Sequence, residues 1–216
     1  MSQKVNMENA IDKAAKRYGL RVEPQLIAFF TKAGVSYPPQ KIALLAFKSE
    51  RKVELWGKNS GHRWKHIHDY ALTGFSGRLG PKLRENDKQI PEGVYRLVNF
   101  NPFSSMHLSM MINYPNNFDK EKGYQDGRKH LGNNIFIHGK NLSVGCLAVG
   151  DLAIDQLFIL ARRVGLQNIQ IIIAPNDLRN NKKAITSSFA QPRWLPELYE
   201  QISKSLEPFN RTTYSA

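Results

Sequence analysis

The chain holds a single cysteine, Cys146, at the end of the run Ile135-Phe136-Ile137-His138-Gly139-Lys140-Asn141-Leu142-Ser143-Val144-Gly145-Cys146. A β-rich stretch delivers a histidine, seven residues intervene, and Gly-Cys closes the segment. Thiol catalysis has three requirements. An imidazole must take the thiol proton, because the thiolate is the nucleophile. The imidazole needs an acceptor on its other nitrogen to hold one tautomer. Backbone N–H groups must face the developing oxyanion. A seven-residue loop can fold back and bring His138 and Cys146 together, and Gly145 keeps the approach to sulfur open. A thiol activated in this way is expected to react well below the free-thiol pKa of about 8.5. The cysteine signatures of papain-like and caspase-like proteases are absent around Cys146.

A second constellation is His62, His66 and His68 with Asp69. On a regular strand Trp64, His66 and His68 share one face. Two imidazoles and a carboxylate there could hold a metal ion. A polar sheet face is the simpler reading, and the thiol chemistry requires neither a metal nor a cofactor. With one cysteine, no intrachain disulfide and no all-cysteine metal site can form.

These residues must be positioned by the elements around them. Residues 1–40 read as a helical extension. Asn9 to Tyr18 forms one expected helix, and Pro24, at a first-turn position, opens a second with Leu26, Ile27, Phe30 and Ala33 on one side. From 41 to 175 the texture is that of strands. Lys41–Lys48 and Lys52–Trp56 flank a hairpin turn, and Arg63–Thr73, Glu92–Asn99, Met106–Asn113 and Asn134–His138 follow. Gly74 to Pro91 is a long charged loop. Asp151 is the expected N-cap of a helix running to Val164 and ended by Gly165. Asn168–Ala174 is the expected central strand. Residues 176–216 return to helix, with Pro192 and Pro196 near helix starts. The fold class is therefore α+β: a mainly antiparallel β-core, one helix packed after the Gly-Cys turn, and helical extensions at both ends.

The 216 residues are 41% apolar and 10% aromatic, enough for a real core. Lys and Arg number 31 against 18 Asp and Glu, a net charge of +13. That balance favours an anionic partner, either nucleic acid or a cell-wall polymer. No RRM, KH, zinc-finger or helix-turn-helix pattern appears, so nucleic acid is not the expected partner. Met1–Lys16 is polar and charged, without the apolar core of a secretory signal. No run approaches the ~20 apolar residues of a membrane span, so stable membrane insertion is not expected.

The motif resembles the active-site segment of the L,D-transpeptidase catalytic domain, the YkuD-type family. That family's pattern is a histidine, a loop, then Ser/Thr-His-Gly-Cys, which here stands as His138…Ser143-Val144-Gly145-Cys146. Ser76-Gly77-Arg78-Leu79-Gly80-Pro81-Lys82-Leu83-Arg84, then Gln89-Ile90-Pro91-Glu92-Gly93-Val94-Tyr95, resembles the stretch preceding it, and Asn113-Tyr114-Pro115-Asn116 resembles a Gly-Tyr-Pro-Asn motif. The second histidine is replaced by Val144, and the loop is shorter than usual. Both departures are similar to the YafK-like branch, which acts on the link between peptidoglycan and an outer-membrane lipoprotein.

The resemblance implies a β-sandwich core at 41–175 and a cysteine-dependent acyl transfer or hydrolysis on peptidoglycan stem peptides. Cys146 would be the nucleophile and His138 its base. The Gly139 carbonyl would fix the imidazole tautomer, and N–H groups around Gly145 and Cys146 would form the oxyanion hole. Lys82, Arg84, His107, Tyr114 and Ser143 would be the substrate-binding candidates, Arg being suited to carboxylates. The branch is exported, which implies the periplasm. A cytosolic L,D-carboxypeptidase of peptidoglycan recycling and a basic nucleic-acid- or cell-wall-binding module without catalysis are the alternatives.

Overall fold

The computed structural model describes residues 2–179, 184, 186 and 191–211. Its centre is a curled sheet of eight strands in the order β3-β2-β1-β8-β4-β5-β6-β7. The strands are β1 (Lys41–Phe47), β2 (Lys52–Lys58), β3 (Lys65–Ala71), β4 (Gly93–Asn101), β5 (Ser109–Ile112), β6 (Phe136–His138), β7 (Leu147–Ala148) and β8 (Ile169–Ala174). The helices are α1 (Ser2–Lys32), α2 (Asn117–Gln125), α3 (Asp151–Val164) and α4 (Leu195–Leu206). Pairing is mainly antiparallel; β1 with β8 and β6 with β7 are the parallel pairs. Just beyond β3, Gly74 bridges Ala148 and the Thr73 N–H donates to the Ala148 carbonyl at 2.9 Å. The two sheet edges are thereby brought together behind the Gly-Cys turn.

The apolar strands β1 and β8 lie at the centre because both of their faces are covered. Ile42, Leu44 and Ala46 face one core with Ile169, Ile171 and Ile173. Ala43, Leu45 and Phe47 face the other with Ile172, Ala174 and the α4 residues Leu198, Ile202 and Leu206. Helix α3 fills the first core through Ile154, Leu157, Phe158 and Leu160, and α1 packs on α3.

Several sequence expectations are corrected. Asn9–Tyr18 and the segment after Pro24 are one helix, with Pro24 inside it. A mid-helix proline costs roughly 3 kcal/mol. The buried stripe Ile11, Ala14, Val22, Leu26 and Phe30 runs on through Pro24. Arg163 also clamps Glu23 at 2.7 Å, and Arg21 pairs with the buried Asp155 of α3. Packing thus outweighs the local penalty. A second helix, α2, interrupts the core segment where one helix alone was expected. It has no marked apolar stripe and is set instead by a reciprocal capping box between Asn116 and Asp119. The N-cap of α3 is Gly150 rather than Asp151. Of the expected C-terminal helical stretch, α4 is present, and residues 180–183, 185 and 187–190 lie outside the described residues.

The histidine constellation is also corrected. A register shift opposite Leu55 and Trp56 places a bulge in β3. His66 turns to Trp56, Asp69 and the Arg211 guanidinium, while His68 turns the other way and stacks on Phe29 of α1 at 4.1 Å. An extra residue in one strand reverses the faces that follow it, so the two imidazoles cannot converge on one ion.

Ile154→Ala should cost about 2–5 kcal/mol in urea denaturation, because the side chain is fully buried at 0% exposure. Leu20→Ala on the outer face of α1, 89% exposed, should change stability by less than ~0.5 kcal/mol.

Candidate active site

The short strand pair β6–β7 assembles the chemistry. Ile137 lies beside Leu147, and both face the core. Phe136, His138 and Cys146 therefore point to the opposite face. Ser109, directly across from His138 on β5, points there too. These four residues line a cavity of about 490 Å³ whose wall includes Ser104, Ser105 and Met106 and, among the described residues, carries no Lys, Arg, Asp or Glu. Its rim is apolar and outward-facing: Phe103 is 70% exposed, Leu142 66% and Val144 70%.

His138 is buried and held on both sides. Its carbonyl accepts from Val149 N–H at 2.9 Å, and the next residue, Gly139, donates to Leu108 O at 3.2 Å. Its Nδ1 lies 2.6 Å from the Gly139 carbonyl oxygen. A carbonyl only accepts, so Nδ1 carries the proton and Nε2 presents a lone pair. Gly139 is required by close approach. A Cβ there would lie 2.6 Å from the Asp151 carboxylate and 2.8 Å from the Met106 carbonyl. Asp151 itself accepts the Lys140 N–H at 2.7 Å, so the carboxylate expected to cap α3 ties down the His-to-Cys loop.

Cys146 Sγ accepts the Phe136 N–H at 3.4 Å and lies 3.8 Å from the Asn134 carbonyl. Burial pushes its thiol above the ordinary 9.0, against the pull of the Phe136 N–H and the Lys82 charge. Burial likewise pushes His138 below 6.5, opposed by its bond to Gly139. Burial thus disfavours the charged form of each group.

The turn before Cys146 is fixed from the charged loop. Ser143 Oγ donates to the Cys146 carbonyl at 2.7 Å and lies 3.1 Å from Ser76 Oγ. Gly145, at φ +100°, donates its N–H to Ser76 Oγ at 2.7 Å. That N–H, one of those expected around an oxyanion hole, is engaged by Ser76. Ser76 and Ser109 were missed as site residues. Ser76 is 69 positions from Gly145, and no local pattern reports such a partner.

The remaining substrate candidates are placed elsewhere. Lys82 is buried, 2.6 Å from Asp87, and bonds the Arg84 carbonyl. Burial raises the Asp87 carboxyl, yet Lys82 and three backbone N–H groups outweigh it and hold it below the usual range. Tyr114 is buried, its hydroxyl donating to Leu131 O at 3.0 Å. His107, at φ +75°, bonds Asp155 at 2.7 Å behind the cavity. Arg84 is exposed on a separate cavity. Beneath the loop, Lys48 is fully buried and donates to Gly80 O, Ile90 O and Glu92, all within 2.9 Å. Glu92 also accepts from Gly80 N–H and Tyr199 OH.

The model of the L,D-transpeptidase catalytic domain, YkuD, matches residues 42–171. The chain belongs to the YkuD family. Its sequence is 30% identical over 173 residues to an Escherichia coli K12 protein named "Putative L,D-transpeptidase YafK", covering 77% of this chain and 65% of that one. The chain thus spans just under two thirds of that relative's length. The fold is similar to the helical cell shape determining protein Pgp2 of Campylobacter jejuni, with a TM-score of 0.51 at 19% identity over 70% of this chain and 52% of that one. A mutant of Pgp2 gives a TM-score of 0.52 at 17% identity, over 83% of this chain and 60% of that one. The YkuD match spans every strand from β1 into β8, with the His138–Cys146 segment inside it.

Two outcomes follow. Alkylation of Cys146 by a small uncharged reagent should rise with pH to beyond 9.0, because its thiol is raised, while the acid limb of turnover should lie below 6.5, because His138 is lowered. An alkylation rate already at its plateau at neutral pH would show a resting thiolate instead. Lys48→Met should cost about 3–5 kcal/mol in urea denaturation, since Glu92 is left buried without its cation and two carbonyls lose their donor.

Proposed function

We propose that this YkuD-family chain is a cysteine acyltransferase or hydrolase acting on diaminopimelate-containing stem peptides of peptidoglycan. The observation that carries the reading is the placement of Cys146 and His138 on one face of β6–β7, in one cavity, with the imidazole tautomer set by Gly139. Nε2 takes the thiol proton as sulfur attacks the carbonyl of the L-centre of diaminopimelate. The Cys146 N–H supports the oxyanion. Collapse breaks the peptide bond, and His138 returns the proton to the departing amine of the D-residue. The thioester then passes its acyl group to an amine or to water, with His138 as base for that acceptor.

Val144, in place of the family's second histidine, leaves His138 as the single imidazole among the described residues lining the cavity. The apolar rim of Phe103, Leu142 and Val144 suits a peptide chain better than a bare sugar. The periplasm, with a peptidoglycan-linked lipoprotein as one natural substrate, is the setting that the resemblance and the +13 charge support. Residues 41–175 form the catalytic domain in this reading, flanked by the 1–40 and 176–216 extensions.

The test is mass analysis of muropeptides after incubation of the protein with intact sacculi, lipoprotein-linked sacculi and free tetrapeptide. Conversion of sacculi is expected, and Cys146→Ala should reduce it by several orders of magnitude with the fold intact. His138→Ala should be nearly as damaging and partly rescued by alkali. Action on free tetrapeptide alone would favour the cytosolic carboxypeptidase. Full activity of Cys146→Ala would overturn the mechanism.

A further inference from the structure

A second cavity, of about 700 Å³, opens beside the first and has the opposite character. Arg78, Arg84 and Arg128 stand on its wall. The acid on that wall, Asp87, is already taken by Lys82 at 2.6 Å and by the backbone N–H groups of Leu83, Arg84 and Gln89. Arg128 is fixed in place: its guanidinium donates to Leu83 O at 2.7 Å, pairs with Asp126 at 2.9 Å and lies over the Trp194 ring. Among the described residues, three arginines and one carboxylate line this cavity, which makes its described wall net positive. The described wall of the Cys146 cavity carries no Lys, Arg, Asp or Glu.

The two cavities share one wall. Gln89 lines the basic cavity, where its amide clamps the backbone of Arg78 and Gly80 at 2.6–2.9 Å. The backbone carbonyl of the same residue lies against Gly145, where a Cβ would come within 3.1 Å. Gly145 sits between Val144 and Cys146, both on the wall of the other cavity. One segment, Ser76–Gly80 with Gln89, therefore holds the turn before Cys146 on one side and lines the basic cavity on the other.

We propose that the basic cavity is a carboxylate subsite for the peptide whose scissile carbonyl sits at Cys146. This rests on the stem-peptide reading above. A substrate bearing several carboxylates cannot place them in the uncharged cavity without an unmatched desolvation cost. The exposed Arg84 guanidinium on the wall of the basic cavity can bind one bidentately. The division of labour is chemical: the neutral cavity takes the reacting amide, and the arginine cavity fixes the register of the chain through its acids.

The test is calorimetric titration of the full chain as Cys146→Ala, so that binding is read without turnover. The titrants are a diaminopimelate-containing tetrapeptide, the same peptide with its carboxylates amidated, and inorganic phosphate. The free acid should bind about tenfold more tightly than the amide, the worth of a charged hydrogen-bonded pair. Arg84→Gln should shrink that ratio to roughly twofold, and Arg84→Lys should fall between. Arg84 is exposed, so its variants should keep the parent's melting temperature. Equal affinity for acid and amide, or a ratio untouched by Arg84→Gln, would overturn the subsite. Phosphate binding as tightly as the peptide and displacing it would also overturn it, in favour of a free-phosphate site. The subsite and the proposed reaction fail separately. Tetrapeptide left uncut by the wild type with the acid preference intact refutes the reaction alone, and cleavage without that preference refutes the subsite alone.

Discussion

The site depends on one close approach, at Gly139. The backbone there passes so near Asp151 and the Met106 carbonyl that no side chain fits. That path turns the Gly139 carbonyl back onto Nδ1 of the preceding histidine. The imidazole is thereby oriented without a carboxylate partner, and Nε2 is left as the basic atom in an uncharged cavity. A neutral acceptor supports imidazolium less than a carboxylate would, and burial works in the same direction. Burial acts on the Cys146 thiol in the same sense, disfavouring its charged form.

Holding that geometry falls to loops rather than long strands, since β6 has three residues and β7 two. The compensation is a set of buried polar anchors. Lys48, Glu92 and Tyr199 tie β1, the charged loop and α4 together. Lys82 and Asp87 knot the loop upon itself, and Gln89 ties Arg78 to Gly80 while its carbonyl lies against Gly145. A buried ion pair is poor evidence of stabilisation by itself. Here Lys48 also satisfies two carbonyls, so the pair acts chiefly to give the loop a single conformation.

Much of this was legible in the sequence wherever the cause is local. The apolar runs of β1 and β8, the stripe of α3 and the His-to-Cys spacing all report short-range patterns. Most of the differences come from tertiary partners that no short-range pattern reports. Pro24 reads as a helix start until α3 supplies a surface for α1. The bulge in β3 separates His66 from His68 through pairing with β2, which a period-2 reading of one strand cannot register. Gly145 reads as an oxyanion donor until Ser76 claims its N–H. Tyr114 and Lys82, chosen for their chemistry, prove to be internal supports because their partners Leu131 and Asp87 are set by the loop's fold. Helix α2 was within reach of local reasoning, since Asn116 and Asp119 stand at capping-box spacing.

The central claim is that Cys146 carries the acyl group. The most direct measurement is intact-protein mass spectrometry of the chain mixed with a diaminopimelate-containing tetrapeptide and quenched in acid. The account predicts a mass increment equal to the tripeptide acyl group, located on Cys146, removed by hydroxylamine, and absent from Cys146→Ala. Turnover without any adduct, or an adduct that persists in Cys146→Ala, would contradict it.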